Sequence, residues 1–149
     1  MAQTNPFELL TAEHDILRRR LGRVLRASED VLESNEGRRA TEAFLSALRL
    51  HIRREERALF PLCARLFGGR ESAISVLEDD HEAIGGAAAS LARASATAKL
   101  DRDRVRELVR LLETHFTREE KVLFPVAETR MTAAEATFLA RRLRTESSP

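Results

Sequence analysis

The sequence predicts an all-α protein, and three of its features support this class. The chain has 149 residues, of which 43% are hydrophobic, so one domain with a buried core is expected. Only four prolines and six glycines interrupt it, and its commonest residues, Ala, Leu, Arg and Glu, are good helix formers. Four long segments place apolar residues at alternating spacings of three and four. We therefore predict an antiparallel up-down four-helix bundle with a short fifth C-terminal helix.

Capping residues, prolines and glycines set the predicted helix ends. Asn5 and Pro6 form a helix start, and Gly68-Gly69 ends the second helix, which we expect to bend near Pro61. A single domain is predicted over residues 1–149, with the bundle core at about 5–128. The predicted helices span about residues 5–33, 38–67, 71–98, 101–128 and 132–144, and the first break falls over 34–37. Asp101 is predicted to cap the fourth helix, and Thr132 and Glu135 form a capping box at the start of the fifth.

Charge and hydropathy exclude several classes of function. The 25 basic and 24 acidic residues give a net charge of +1, which provides no broad attraction for nucleic acid. No export signal begins the sequence, and no run of about 18 apolar residues could cross a membrane. The one cysteine, Cys63, cannot form an internal disulfide and is interpreted as a buried core residue. We predict a cytoplasmic protein that binds neither nucleic acid nor membrane.

Each long helix places one histidine on its apolar seam, and no histidine lies elsewhere. A single histidine on such a face is more often a core residue satisfied by a hydrogen bond. Four of them, one on each helix, instead favour a shared site. These histidines are His14, His51, His81 and His115.

Two glutamates on the same seams strengthen this interpretation. Glu55 and Glu119 each follow a histidine by four residues, so each pair shares a helix face about 6 Å apart along the axis. A buried carboxylate costs several kcal/mol unless its charge is compensated. A salt bridge to a core arginine is the competing explanation, but the three arginines that could supply it lie off the seams. They are Arg18, Arg54 and Arg118.

Imidazole and carboxylate together suit iron, manganese or zinc, whereas calcium and magnesium prefer oxygen ligands. Because two carboxylates are available to bridge, two metals fit better than one. The acids next to these residues in sequence point about 100° away around the helix, so we interpret them as solvated or salt-bridged rather than as partners of the histidines. These acids are Asp15, Glu56, Asp79, Asp80, Glu82 and Glu120. Gly85 and Gly86, just after His81, are interpreted as permitting close helix packing rather than a passage to the metals.

An internal repeat relates the two halves of the chain. The segment HIRREERALFP from His51 matches HFTREEKVLFP from His115 at seven of eleven positions, and acids flank both His14 and His81. On these motifs, residues 5 to 128 resemble the hemerythrin-like, or His-His-Glu cation-binding, family.

The resemblance implies a non-haem di-iron centre in a four-helix bundle. His14 and His51 would bind one iron and His81 and His115 the other, with Glu55 and Glu119 bridging them. Oxygen-carrying hemerythrins use a fifth histidine, which would be expected one turn from His81, where this chain has Leu77 and Gly85. That difference leaves open coordination positions.

Three functions remain open at this point. The first is redox chemistry on dioxygen, hydrogen peroxide or nitric oxide in oxidative or nitrosative stress, supplied by an electron donor. The second is non-catalytic binding, storage or sensing of oxygen or iron. The third is a zinc-loaded structural bundle that works through a partner protein.

Overall fold

The computed structural model describes residues 4–29, 35–69, 73–96 and 100–146, and these ranges contain helices and no strand. The predicted all-α class is therefore confirmed. Two five-residue π-helical segments, Glu55–Leu59 and Glu119–Leu123, interrupt the second and fourth predicted helices. The α-helices are α1 (Pro6–Glu29), α2 (Asn35–Arg54), α3 (Phe60–Leu66), α4 (Ala73–Ala96), α5 (Arg102–Arg118), α6 (Phe124–Arg130) and α7 (Ala133–Thr145).

Several predicted helix ends are confirmed by their hydrogen bonds. The Asn5 side chain accepts from the Phe7 amide at 2.8 Å, and Asp101 accepts from the Asp103 amide at 2.9 Å. Both hydrogen bonds of the capping box are present at Thr132. Gly68 and Gly69 follow α3 with φ of 81° and 134°, backbone conformations that favour glycine. The parts of the predicted helices at 30–33, 71–72 and 97–98 lie outside the described residues.

The predicted break over 34–37 is wrong for residues 35–37, because α2 begins at Asn35. Gly37 lies inside this helix and is buried. A Cβ atom there would lie 3.3 Å from the Leu100 side chain and 3.4 Å from that of Ala27. Glycine at this position thus permits close helix packing rather than a turn.

The second π-helical segment, Glu119–Leu123, changes which residues face the core. The Phe124 amide bonds to the Glu119 carbonyl, five residues back, so the segment contains one residue more than a regular helical turn. Spacings of three and four residues, counted on from His115 and Glu119, predict Val122 and Val126 in the core, but these side chains are 56% and 40% exposed. Leu123 and Ala127 are buried in their place. The corresponding segment, Glu55–Leu59, stands immediately before Phe60-Pro61, where a bend was expected.

Two apolar clusters form the core. One contains Leu10 of α1 and residues of α3, α4, α6 and α7, and the other contains Leu17 of α1 and residues of α2, α4 and α5. Because His14 lies between Leu10 and Leu17 on α1, a polar layer separates the clusters. Cys63 is fully buried in the first cluster, and burial raises the pKa of its thiol to about 12, as expected for a core residue.

The packing of the helices brings both halves of the chain to this layer. Helix α1 packs against α2, α5 and α7, and α4 packs against α5 and α2. No described helix has the length and apolar character needed to span a bilayer.

Candidate metal centre

Six polar side chains are buried together between the two apolar clusters. Four helices, α1, α2, α4 and α5, each supply one histidine, and each π-helical segment begins with a glutamate. All six are at most 5% exposed. We call them the inner cluster: His14, His51, Glu55, His81, His115 and Glu119. The structure thus brings together all six residues that the sequence analysis predicted for the site.

The inner cluster divides into two overlapping groups of potential ligand atoms. One contains His14 and His51 and the other His81 and His115, and both contain the two glutamates. Within each group, the donor atoms lie within 4.8 Å of one another. The grouping matches the one that the sequence resemblance implied.

Each glutamate directs one oxygen toward each group. For Glu55, Oε1 lies 2.9 Å from Nε2 of His51, whereas Oε2 lies 3.0 Å from Nε2 of His81. For Glu119, Oε2 lies 3.1 Å from Nε2 of His14, and Oε1 lies 3.3 Å from Nε2 of His115. Both carboxylates therefore face both groups of potential ligand atoms.

Most of these atoms have no hydrogen-bond partner despite their burial. The unpartnered atoms are Nε2 of His14, Nε2 of His51, Oε1 of Glu55 and both carboxylate oxygens of Glu119. Buried polar atoms without partners are rare in proteins because each costs about 1–3 kcal/mol. Two ligand atoms that each lie about 2.1 Å from one metal ion are about 3.0 to 3.4 Å apart from each other. The glutamate oxygen to histidine nitrogen distances of 2.9 to 3.3 Å given above are close to this range. The donor set and its geometry therefore fit transition-metal ions.

The outer nitrogen of every histidine faces a second carboxylate, which the sequence interpretation did not expect. We call these acids the outer carboxylates: Glu13, Glu56, Asp80 and Glu120. The Nδ1 atom of His14 lies 2.8 Å from Glu120, and that of His51 lies 2.8 Å from Glu13. The Nδ1 atom of His81 lies 3.0 Å from Glu56, and that of His115 lies 3.3 Å from Asp80. Such contacts fix the ring so that Nε2 points into the site.

The interpretation that Glu56, Asp80 and Glu120 are not partners of the histidines was therefore wrong, although Asp80 and Glu120 are also salt-bridged as expected. Glu13 was missed. Each of these acids contacts a histidine on a neighbouring helix, and such a contact cannot be predicted from residue spacing within a single helix. The internal repeat could have identified these acids, because an acid precedes both His14 and His81 and a second glutamate follows both Glu55 and Glu119.

Three arginines bind outer carboxylates rather than the inner cluster. Arg18 lies 3.1 Å from Glu120, while Arg54 pairs with Glu13 and Arg118 pairs with Asp80. Among the described residues, no lysine or arginine forms an ion pair with Glu55 or Glu119. The competing explanation of the buried glutamates, a salt bridge to one of these arginines, is thus excluded.

The electrostatics of the site favour added positive charge. Burial alone would lower the pKa of His51, but Glu55 and Glu13 raise it to about 10. Burial likewise opposes protonation of His115, yet Glu119 and Glu55 raise its pKa to about 10. The inner glutamates and outer carboxylates together bring six negative charges against three arginines. Protons on His51 and His115 supply positive charge where bound cations would otherwise do so.

The fold and site define a helical protein with buried histidine and glutamate groups able to hold metal. Comparison with family models agrees: the hemerythrin HHE cation-binding domain matches residues 5–100 and 72–147. The chain belongs to this family. Comparisons with curated proteins and with solved structures gave no significant match.

Proposed function

We propose that the inner cluster binds two iron ions, one at His14 and His51 and the other at His81 and His115, with Glu55 and Glu119 bridging them. The observation that carries this proposal is the set of five buried nitrogen and oxygen atoms without partners. Manganese or zinc would suit the same donors.

The frame proposed for this centre is an antiparallel up-down four-helix bundle within one domain over residues 1–149. Its helices would be α1, α2 continued by α3, α4, and α5 continued by α6, with α7 as the short fifth helix. The packing of α1 on α2 and of α4 on α5 supports two helical hairpins. The internal repeat supports an approximate twofold relation between them.

The proposed activity is a redox reaction with dioxygen, hydrogen peroxide or nitric oxide. Bound iron supplies ligand binding and electron transfer. The chain's own residues orient the imidazoles through the outer carboxylates, and the two apolar clusters keep bulk water from the site. Repeated turnover requires an electron donor or a protein partner. The lone buried cysteine supports a reducing compartment such as the cytoplasm.

Non-catalytic binding, storage or sensing of oxygen or iron is the alternative. The complete burial of His14, Glu55 and Glu119 favours it, because a reversible binding site benefits from exclusion of water and larger reactants.

The two functions are separated by treating anaerobically iron-loaded protein with peroxide, nitric oxide and air while optical and paramagnetic resonance spectra are recorded. Redox function predicts repeated consumption of peroxide or nitric oxide in the presence of a reductant. Binding or sensing predicts an oxygenated form that is stable for minutes and reverses under vacuum. Protein that binds two irons yet responds to none of the three would contradict both. The His51→Ala variant, which removes one proposed ligand, is the control.

A further inference from the structure

The internal repeat allows the surroundings of the two proposed metal positions to be compared residue by residue. His14 in the first half corresponds to His81 in the second, and Glu120 corresponds to Glu56. If the repeat were symmetric, the two histidines would have equivalent contacts. Their surroundings differ in two respects.

The first difference is the support of the outer carboxylate. Glu120, which holds His14, accepts hydrogen bonds from two nitrogens of Arg18, at 3.1 and 3.3 Å, and its side chain is 20% exposed. Glu56, which holds His81, has a side chain that is 50% exposed. No lysine or arginine of the described ranges forms an ion pair with Glu56. Arg18 follows His14 by four residues, and the residue four after His81 is Gly85.

The second difference is the number of phenylalanine rings over each imidazole. Phe60 stacks on His81 with the ring centres 5.0 Å apart, and its counterpart Phe124 stacks on His14 at 5.8 Å, but a further ring covers His14. Phe116 stacks on His14 with the ring centres 3.9 Å apart, and the Arg18 guanidinium lies 5.1 Å from the centre of the Phe116 ring. Phe116 directly follows His115 in sequence. The residue that directly follows His51 is the smaller, aliphatic Ile52.

The surface beside His81 is correspondingly open. A Cβ atom on either Gly85 or Gly86 would have no heavy atom within 4 Å, so the interpretation of these glycines as close packing positions was wrong. His14 is fully buried, whereas His81 is 5% exposed. Of the four histidines, His81 is the one whose outer carboxylate lacks an arginine among the described residues.

We propose that the two metal positions are unequal, and that the ion held by His81 and His115 is the one that exchanges with solvent, past Gly85 and Ile52. The inference rests on the two-metal site of the proposed function. The ion held by His14 and His51 is sealed by Arg18 and Phe116. Loss of an outer partner of a metal-bound histidine typically weakens metal binding 10- to 100-fold. Because His81 keeps Glu56 and lacks only an arginine behind it, we expect release from the two positions to differ by about tenfold, the lower end of that range.

Release of ferrous iron to excess ferrozine, under anaerobic conditions, tests this inference through absorbance rather than through activity. The wild-type protein loaded with two equivalents releases iron in two phases of equal amplitude, with rates about tenfold apart. Gly85→Arg restores the arginine of the other half and slows the fast phase by about tenfold. Arg18→Ala removes that arginine and accelerates the slow phase.

Matched variants make the result specific. Gly86→Arg adds the same side chain one residue along the exposed surface and leaves both rates unchanged. Ile52→Phe gives the second half of the site the phenylalanine that Phe116 provides in the first, and it also slows the fast phase. This independent variant keeps the test decisive if Gly85→Arg does not fold.

Two equivalents released in a single phase, or a fast phase that neither Gly85→Arg nor Ile52→Phe slows, would overturn the inequality and leave the two-metal site standing. A wild-type protein that retains fewer than two irons would instead count against the proposed function itself.

Discussion

Removing the charge of one outer carboxylate measures how strongly these acids support the site. Glu13 Oε2 lies 2.8 Å from Nδ1 of His51, and Arg54 pairs with the other oxygen of Glu13. Glu13→Gln retains the size of the side chain and an oxygen able to accept the Nδ1 hydrogen. The negative charge that polarises the imidazole is lost, so His51 becomes a weaker ligand.

The expected loss follows from this limited change. Outer partners of metal-bound histidines contribute 10- to 100-fold in metal affinity, equivalent to about 1.4 to 2.7 kcal/mol. Because the amide oxygen preserves the hydrogen bond, Glu13→Gln should reduce affinity by about tenfold, and Glu13→Ala should reduce it further.

Competition with a chromophoric chelator at fixed pH and salt gives the affinity directly. Glu8→Gln, an exposed glutamate on the same helix, is the matched control and should leave affinity unchanged. If Glu13→Gln and Glu13→Ala both bound metal as tightly as the wild type, the outer carboxylates would have no role in holding the imidazoles.

Three further outcomes are expected. The pKa values of His51 and His115 are about 10 in the folded protein, well above the value of about 6.5 in an unfolded chain. The stability that these histidines give the metal-free protein is therefore complete below pH 6.5 and is lost as the pH rises through 10. Urea unfolding of metal-free protein at pH 6.5 and pH 10 should show this decline, and equal stability would contradict it. Leu123→Ala should lower the free energy of unfolding by about 2–5 kcal/mol and Val122→Ala by about 0.5 kcal/mol or less, and the reverse order would refute the π-helical shift of the core face. Cys63 should react with a thiol reagent only after denaturation, and rapid labelling of the native protein would show that it is not buried as described.

The inner cluster could be predicted because its residues repeat with the period of a helix. His51 and Glu55 are four residues apart on an apolar seam, and so are His115 and Glu119. Polar residues on such a seam need partners, and the hydrophobic pattern identifies the seam without knowledge of the tertiary structure. The helix caps were predictable for a similar reason, since Asp101 and Thr132 satisfy amides only a few residues away.

The π-helical segments could not be predicted from the same pattern. A regular repeat assumes a constant rotation per residue, and the bonds across Glu55–Leu59 and Glu119–Leu123 add a residue that the repeat does not count. Val122 and Val126 were consequently placed on the wrong face. Their apolar side chains satisfied the pattern, and only the backbone hydrogen bonds distinguish them from Leu123.

The outer carboxylates were misjudged because their partners lie on other helices. Glu13 contacts a histidine of α2 and Glu120 contacts one of α1, contacts that depend on how the helices pack. Comparing the two copies of the repeat would have identified the acids, and it also reveals the contrast between Arg18 and Gly85.

Anomalous X-ray scattering at the iron edge, from crystals of protein purified without chelator and loaded anaerobically, tests the two-ion site most directly. The expected result is two peaks in the polar layer, one beside His14 and His51 and one beside His81 and His115, with the carboxylates of Glu55 and Glu119 between them. An iron-loaded crystal with a single peak, or with peaks only at the protein surface, would contradict it.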